Sequence, residues 1–208
     1  VCGRPMVSHV ISQAKKAGAE TIIAVIGHGA EQVKEGLKEE EILFALQEKQ
    51  LGTGHAVMQA ADRIPDEGDV FVLCGDTPLI TSETLAEFAA YHSGSNNAVT
   101  VLTAIFDNPF GYGRIIRGED GNLQKIVEQK DADETEKAVK EVNAGMYCFN
   151  GAFLRENLPK LSNQNAQNEY YITDLIGMAV ESGAGAGAFA VNNPDEIMGV
   201  NNRIQLSE

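Results

Sequence analysis

Asp69-Val70-Phe71-Val72-Leu73-Cys74-Gly75-Asp76-Thr77-Pro78-Leu79-Ile80 is the stretch whose reading decides the fold. From Val70 to Cys74 the residues are apolar without alternation, the pattern of a strand covered on both faces in a parallel sheet. Gly75 ends the run and Asp76 follows it. That is the carboxyl end of the strand, outside which open α/β sheets bind their ligands. Asp76 there either shapes the turn or holds a divalent cation, and the local sequence allows both. Pro78 stops the strand, and Thr81 or Ser82 is placed to cap the next helix.

Upstream, Pro5 suits a first helical turn, Met6, Val7, Val10, Ile11 and Ala14 form an apolar stripe, and Gly18 closes the helix. Thr21 to Ile26 predicts a strand, Gly27-His28-Gly29 a turn, and 31–38 a polar helix. Gly-His-Gly lacks the third glycine or the Lys-Ser/Thr of a phosphate loop. Ile42 to Leu46 predicts another strand. Gly52-Thr53-Gly54 then makes a tight turn in which Thr53 caps a helix carrying Ala56, Val57, Ala60 and Ala61. With the helix bearing Leu85, Phe88 and Ala89, strands and helices alternate three times, which argues for a doubly wound, mostly parallel sheet.

Downstream the pattern changes. Ala98 to Phe106 predicts a strand, and Ile115–Arg117 and Leu123–Glu128 flank Gly118-Glu119-Asp120-Gly121-Asn122, a hairpin signal. The charged run 130–140 reads as a solvated excursion, Val142 to Phe149 as a strand, and Gly183-Ala184-Gly185-Ala186-Gly187 as a flexible connection. Ile172, Leu175, Ile176, Ala179 and Val180 lie at helical spacing, and Phe189 to Val191 predicts a short strand. A hairpin lobe on a doubly wound core suggests closure over a ligand.

The formal charge is −14, from 16 Lys plus Arg against 30 Asp plus Glu, with no basic stripe, so nucleic acid is excluded as a partner while a small phosphate ligand is not. The 208 residues, 43% hydrophobic and 22% charged, fit one globular domain. No apolar run approaches the ~20 residues of a membrane span, and no signal peptide is evident. Cys2, Cys74 and Cys148, without CxxC spacing, read as reduced residues of a cytoplasmic protein.

Leu46-Gln47, Gln50-Leu51-Gly52-Thr53-Gly54-His55-Ala56, Cys74-Gly75-Asp76-Thr77-Pro78-Leu79-Ile80 and Gly111-Tyr112-Gly113-Arg114-Ile115, in that order, resemble the sugar-1-phosphate nucleotidyltransferases. Ile126-Val127-Glu128, Val142-Asn143-Ala144-Gly145, Glu169-Tyr170-Tyr171-Ile172-Thr173-Asp174 and Gly199-Val200-Asn201-Asn202-Arg203 narrow the resemblance. It is to the uridyltransferase domain of the bacterial bifunctional enzyme that makes UDP-N-acetylglucosamine for the cell envelope. The resemblance spans essentially the whole chain. It implies a Rossmann-like nucleotidyltransferase fold over 1–208, with a nucleotide-binding half at 1–97 and a hairpin-containing sugar-binding half at 98–208.

It also implies the chemistry. UTP and N-acetylglucosamine 1-phosphate would be the substrates and Mg²⁺ the cofactor, held by Asp76 and Asn201. Gln47, Gly52 and Thr53 would hold uracil, with Cys74, Gly75 and Asp76 at the ribose and phosphates. Gly113, Glu128, Asn143, Tyr171 and Thr173 would line the sugar site. The family's opening strand, with a glycine-rich Gly-Thr-Arg loop and a following Pro-Lys pair, has no match here. Neither does its C-terminal left-handed β-helix, through which a homotrimer of the parent protein is expected. The chain is therefore expected to be N-terminally truncated and, by itself, impaired in turnover.

Other readings remain open at this stage: transfer to another sugar 1-phosphate, a UDP-sugar glycosyltransferase, or a non-catalytic nucleotide-sugar-binding module. Asp131-Ala132-Asp133 spells the DxD of glycosyltransferases but falls in the charged run after the hairpin, where a solvated loop is the simpler reading.

Overall fold

The computed structural model describes residues 4–199. The chain opens on α1 (Met6–Lys16), whose last turn carries Lys15 and Lys16 against the negative end of the helix dipole. Gly18, at φ +99°, then turns the chain. β1 (Ile23–Ile26), α2 (Ala30–Gly36) and β2 (Leu43–Leu46) form a βαβ unit, with β1 and β2 paired in parallel. Next come α3 (Thr53–Met58), β3 (Asp69–Val72), α4 (Ser82–Ser95) and β4 (Val99–Ile105). The second half supplies β5 (Arg114–Arg117), β6 (Leu123–Val127), α5 (Glu134–Lys137), β7 (Glu141–Asn150), α6 (Gly151–Asn157), α7 (Asp174–Glu181) and β8 (Ala186–Ala190).

The α/β architecture expected from the sequence is present, but four of the six strand pairings among the described residues are antiparallel where a mostly parallel sheet was expected, because the long strand β7 serves as the axis on which its neighbours pair antiparallel. This ten-residue strand pairs antiparallel with β4 along one edge and with β3 and β5 along the other. β4 pairs in parallel with β8, and β5 with β6 as the predicted hairpin. Side-chain alternation on β4 and β7 sorts the core into two layers. Val99, Val101, Tyr147 and Phe149 face Leu154, Leu175, Ile176 and Ala179 from α6 and α7. Leu102, Ala104, Met146 and Cys148 face Val10, Leu85 and Phe88 from α1 and α4. Fully burying each large apolar side chain contributes about 1.5–3 kcal/mol, so these two layers hold the sheet between its helices.

Three local readings change. The run 70–74 was expected as a fully covered strand in a parallel sheet. β3 instead runs antiparallel to β7 and is only partly buried. Val70 and Val72 pack on one layer and Phe71 and Leu73 on the other, but among the described residues β3 has a strand partner on one edge alone. The glycine–alanine run is not simply a connection, because Ala186 and Gly187 enter β8. A Cβ on Gly187 would sit 2.5 Å from Asn97 Nδ2, so the small residue is what lets this strand approach. The charged run contains α5, closed by a reciprocal capping box between Asp133 and Glu136. Asp133 of the DxD triplet is thus a helix cap.

Candidate active site

Asp76 follows β3 in the turn that leads to α4, which Thr81 caps by accepting from Thr84 N at 3.2 Å. Thr77 Oγ1 donates to Cys74 O at 2.9 Å and folds this turn back on the strand end. Asp76 is half-buried. Among the described residues no hydrogen-bond donor claims its carboxylate, and its charge reaches both the Cys74 thiol and the Tyr112 phenol. Burial, and then Asp76, push the Cys74 pKa up to about 12, so this thiol is no nucleophile. Its Sγ donates to Gly145 O at 3.2 Å. Gly145 (φ +72°) leaves no room for more: a Cβ there would stand 3.0 Å from the sulfur.

The five sugar-site candidates lie on different elements, and four of them meet. Asn143 N donates to Gly113 O at 2.9 Å, which seats β7 against the loop before β5. A Cβ on Gly113 would crowd Ile126 Cγ2 at 3.1 Å and touch Asn143 Cβ and Glu128 Oε1 at 3.5 Å, so this glycine lies against both polar residues. Thr173 Oγ1 donates to Glu128 Oε1 at 3.2 Å. Asn143 is fixed by donating to Tyr147 Oη at 2.7 Å and accepting from Gly145 N at 2.8 Å. Burial raises the pKa of Glu128, the Thr173 hydrogen bond pulls it back, and Asp131, Asp174 and Glu169 push it further up.

Tyr171 stands apart. Its hydroxyl donates to Asp131 Oδ2 at 3.1 Å and accepts from Gln167 Nε2 at 2.9 Å, so both of its roles are taken. Burial and the Asp131 carboxylate lift its pKa to about 12. Tyr171 therefore ties the 165–173 strap to the loop after β6.

The nucleotide candidates form a second group. Gln47, nearly buried, donates its Nε2 to Gly52 O at 3.2 Å and faces His55 Nδ1 at 3.0 Å. That leaves Oε1 without a protein partner among the described residues. A depression of about 280 Å³ lined by Leu46, Glu48, Lys49, His55 and Gln59 borders this loop. Thr53 was expected to cap α3. Gly52, at φ +103°, takes the cap position, and Thr53 Oγ1 instead accepts from Ile172 N at 3.3 Å. Gly54 N donates to Tyr170 O at 2.8 Å, and Tyr170 N to Leu51 O at 2.7 Å. The 51–54 loop is thereby laced to the strap that ends at Thr173, linking the two groups of candidates through the backbone.

Asn201, the second metal candidate, lies outside the described residues. The remaining donor fits a hard cation on its chemistry: a half-exposed carboxylate oxygen free of protein hydrogen bonds.

Sequence reasoning passed over Arg114, which is 2% exposed and has no carboxylate partner among the described residues. Its guanidinium donates to Tyr112 O, to Gln129 Oε1 at 2.8 Å and to Lys137 O at 3.5 Å. Gly111 N donates to the same Gln129 oxygen at 3.1 Å. One cation thus joins the Gly111–Gly113 loop to the residue after Glu128. Burial lowers its pKa, and its Nε finds no partner among the described residues. The only sequence signal was an arginine entering a strand directly after Gly-Tyr-Gly.

An α/β sheet with a carboxylate beyond β3 and a hairpin flanked by a cluster of polar side chains is an architecture suited to a nucleotide-handling transferase. The chain belongs to the nucleotidyl transferase family, whose model it matches over residues 1–194. It is 53% identical over 207 residues to the bifunctional protein GlmU of Caldanaerobacter subterraneus, covering 100% of this chain and 45% of that protein. It is 52% identical over 209 residues to the bifunctional protein GlmU of Trichlorobacter lovleyi, with the same shares covered. The corresponding protein of Clostridioides difficile is 51% identical over 208 residues, again with 100% and 45% covered. The chain thus spans about 45% of the length of these relatives. A Bacillus anthracis protein described as a glucose-1-phosphate thymidylyltransferase, crystallised with sucrose, superposes with a TM-score of 0.75 at 17% identity, over 98% of this chain and 80% of that one. At that identity the likeness concerns the fold.

Proposed function

We propose that this chain transfers a uridylyl group from UTP to N-acetylglucosamine 1-phosphate, releasing pyrophosphate and supplying UDP-N-acetylglucosamine for cell-envelope precursors. One observation carries the reading: Gly113, Glu128, Asn143 and Thr173 come together in one cluster, and that cluster is laced through Ile172 and Thr53 to the Gln47–Gly54 loop. Relatives about half identical over the whole of this chain carry the name bifunctional protein GlmU, which supports a nucleotide at the Gln47–Gly54 loop and a sugar phosphate at the Glu128 cluster.

A phosphate oxygen of the sugar phosphate attacks the α-phosphorus of UTP, and the bond from that phosphorus to the β-phosphate oxygen breaks. The attacking monoester is already largely dianionic near neutral pH, with a second pKa of about 6, so no protein base is required. What the residues contribute is placement. Gln47 Oε1 is free to accept the uracil imide proton, while the Gly52 and Thr53 backbone fixes the ring. Glu128 accepts from sugar hydroxyls and Asn143 keeps one amide hydrogen to donate. Gly113 admits the sugar by having no side chain. Asp76 and Asn201 would hold a Mg²⁺, which when bound supplies charge neutralisation at the α- and β-phosphate oxygens.

The test is pyrophosphate release, assayed with the 208-residue chain and with the same chain joined to the flanking sequence of its gene. UTP and dTTP are each paired with a panel of sugar 1-phosphates. Release with UTP and N-acetylglucosamine 1-phosphate above all other pairs is expected, and Asp76→Asn should cut it about a hundredfold or more. Preference for dTTP or another sugar would reassign the substrates. UDP release from UDP-N-acetylglucosamine would make it a glycosyltransferase, and UDP-sugar binding without turnover in either form a binding module.

A further inference from the structure

The amino end of β3, opposite the end that leads to Asp76, carries a second convergence of ligand-type side chains. Asp69 from β3, His92 from α4 and Cys148 from β7 each present one donor atom, and the three atoms lie within 4.8 Å of one another. The β3–β7 register places Cys148 opposite Phe71 and Asp69 opposite Asn150, so the cluster is fixed by the sheet itself.

His92 Nε2 stands 3.5 Å from Asp69 Oδ1. That is longer than the about 2.7–3.2 Å of an N–H···O hydrogen bond. It is close to a ligand–ligand edge: a tetrahedral zinc with N and O at about 2.0–2.1 Å and S at about 2.3 Å holds its donors roughly 3.3–3.6 Å apart. The outer contacts aim both groups inward. His92 Nδ1 lies 2.7 Å from Thr100 Oγ1, a partner that can set the tautomer and leave Nε2 bare. Ser93 Oγ donates to Asp69 Oδ2 at 3.2 Å, leaving Oδ1 turned to the imidazole. His92 and Cys148 are buried, while the Asp69 side chain is 35% exposed and opens on a depression of about 500 Å³ shared with His92, Asn97, Asn150 and Glu156. That opening gives a cation an entry from solvent past Asp69 and His92.

We propose that Asp69, His92 and Cys148 form a second cation site, built for a zinc-type ion and distinct from the magnesium position at Asp76. A thiolate and an imidazole beside one carboxylate select borderline ions over Mg²⁺, which takes oxygen donors. On binding, a metal–sulfur bond forms and the thiol proton leaves to solvent. The ion would cross-link β3, α4 and β7 on the face away from the nucleotide loop.

Cobalt(II) is the probe, because thiolate ligation gives an intense near-ultraviolet band that oxygen ligation lacks. The full chain under reducing conditions should develop this band with one equivalent of Co²⁺, lose it to Zn²⁺, and keep it in excess Mg²⁺. Cys2→Ser and Cys74→Ser should leave the band in place and Cys148→Ser should abolish it. Thr100→Val should weaken Co²⁺ binding by about tenfold or more, and the partly exposed Asp69→Asn further still. Zinc should raise the melting temperature of the wild-type chain and not that of Asp69→Asn. No sulfur-to-metal band, a band that survives Cys148→Ser, or equal binding by Asp69→Asn and wild type would overturn the site.

Discussion

At the scale of single residues, Glu128 and Arg114 are each held in a state that burial opposes, and each yields a signed prediction. Burial raises the Glu128 carboxyl pKa above its value in the unfolded chain. The stability tied to such a group is intact below the unfolded pKa and is lost as pH rises through the folded one. As pH rises from acid towards neutral, Glu128 therefore weighs increasingly against the fold. Glu128→Gln keeps an acceptor for Thr173, so its melting temperature should exceed wild type at about pH 7 and match it at about pH 3.5. The same change should weaken UDP-N-acetylglucosamine binding about 10- to 100-fold by calorimetry, since a hydrogen bond to a charged group contributes about 1.5–3 kcal/mol. Arg114→Met would strand the oxygens of Tyr112, Gln129 and Lys137 and should cost about 2–4 kcal/mol in urea unfolding. Lysine should not restore it, because an ammonium cannot span the three acceptors in a fork. The convergence at Glu128 was legible from motif order. Arg114 was not, because a hydrogen-bond network among loop carbonyls leaves no periodic trace in sequence.

At the scale of elements, hydrophobic runs and turn residues located most strands to within two residues, including β1, β2, β7 and the β5–β6 hairpin. Partner choice was less visible. An unbroken apolar run reports that two faces are covered and says nothing of which strand lies beside it, so the antiparallel β3–β7 pairing could not be read. Composition likewise misjudged the β8 run, where small size serves close packing against Asn97. The lacing of the 51–54 loop to the 165–173 strap is the feature that unites the two pockets, and Gly52 is its weakest joint. An added Cβ at Gly52 would stand 2.7 Å from Tyr170 O, on a backbone at φ +103°. Gly52→Ala should therefore cost about 1–3 kcal/mol of stability. If the lacing couples the pockets, it should also weaken UTP and UDP-N-acetylglucosamine together. Loss of UTP binding alone would show that the strap is independent of the loop.

At the scale of the molecule, a net charge of −14 sets the response to salt. Ten ion pairs of Lys or Arg with a carboxylate are seen among the described residues, and each has at least one partner open to solvent. Exposed pairs each contribute about 0–1 kcal/mol. Repulsion among the excess carboxylates acts over longer distances and favours the expanded chain. Raising ionic strength from about 0.01 M to 0.15 M shortens the screening length from about 30 Å to 8 Å, which removes long-range repulsion while sparing contacts of 3 Å. The melting temperature should therefore rise with salt. A gain of about 1 kcal/mol corresponds to about 2–4 °C for a chain of this size. The proposed substrates are anions too, so UTP should bind more weakly when Mg²⁺ is chelated, and added NaCl should recover part of that loss. A melting temperature that falls with salt would show that local ion pairs, Arg117–Glu141 and Lys15–Glu40 among them, outweigh the global repulsion.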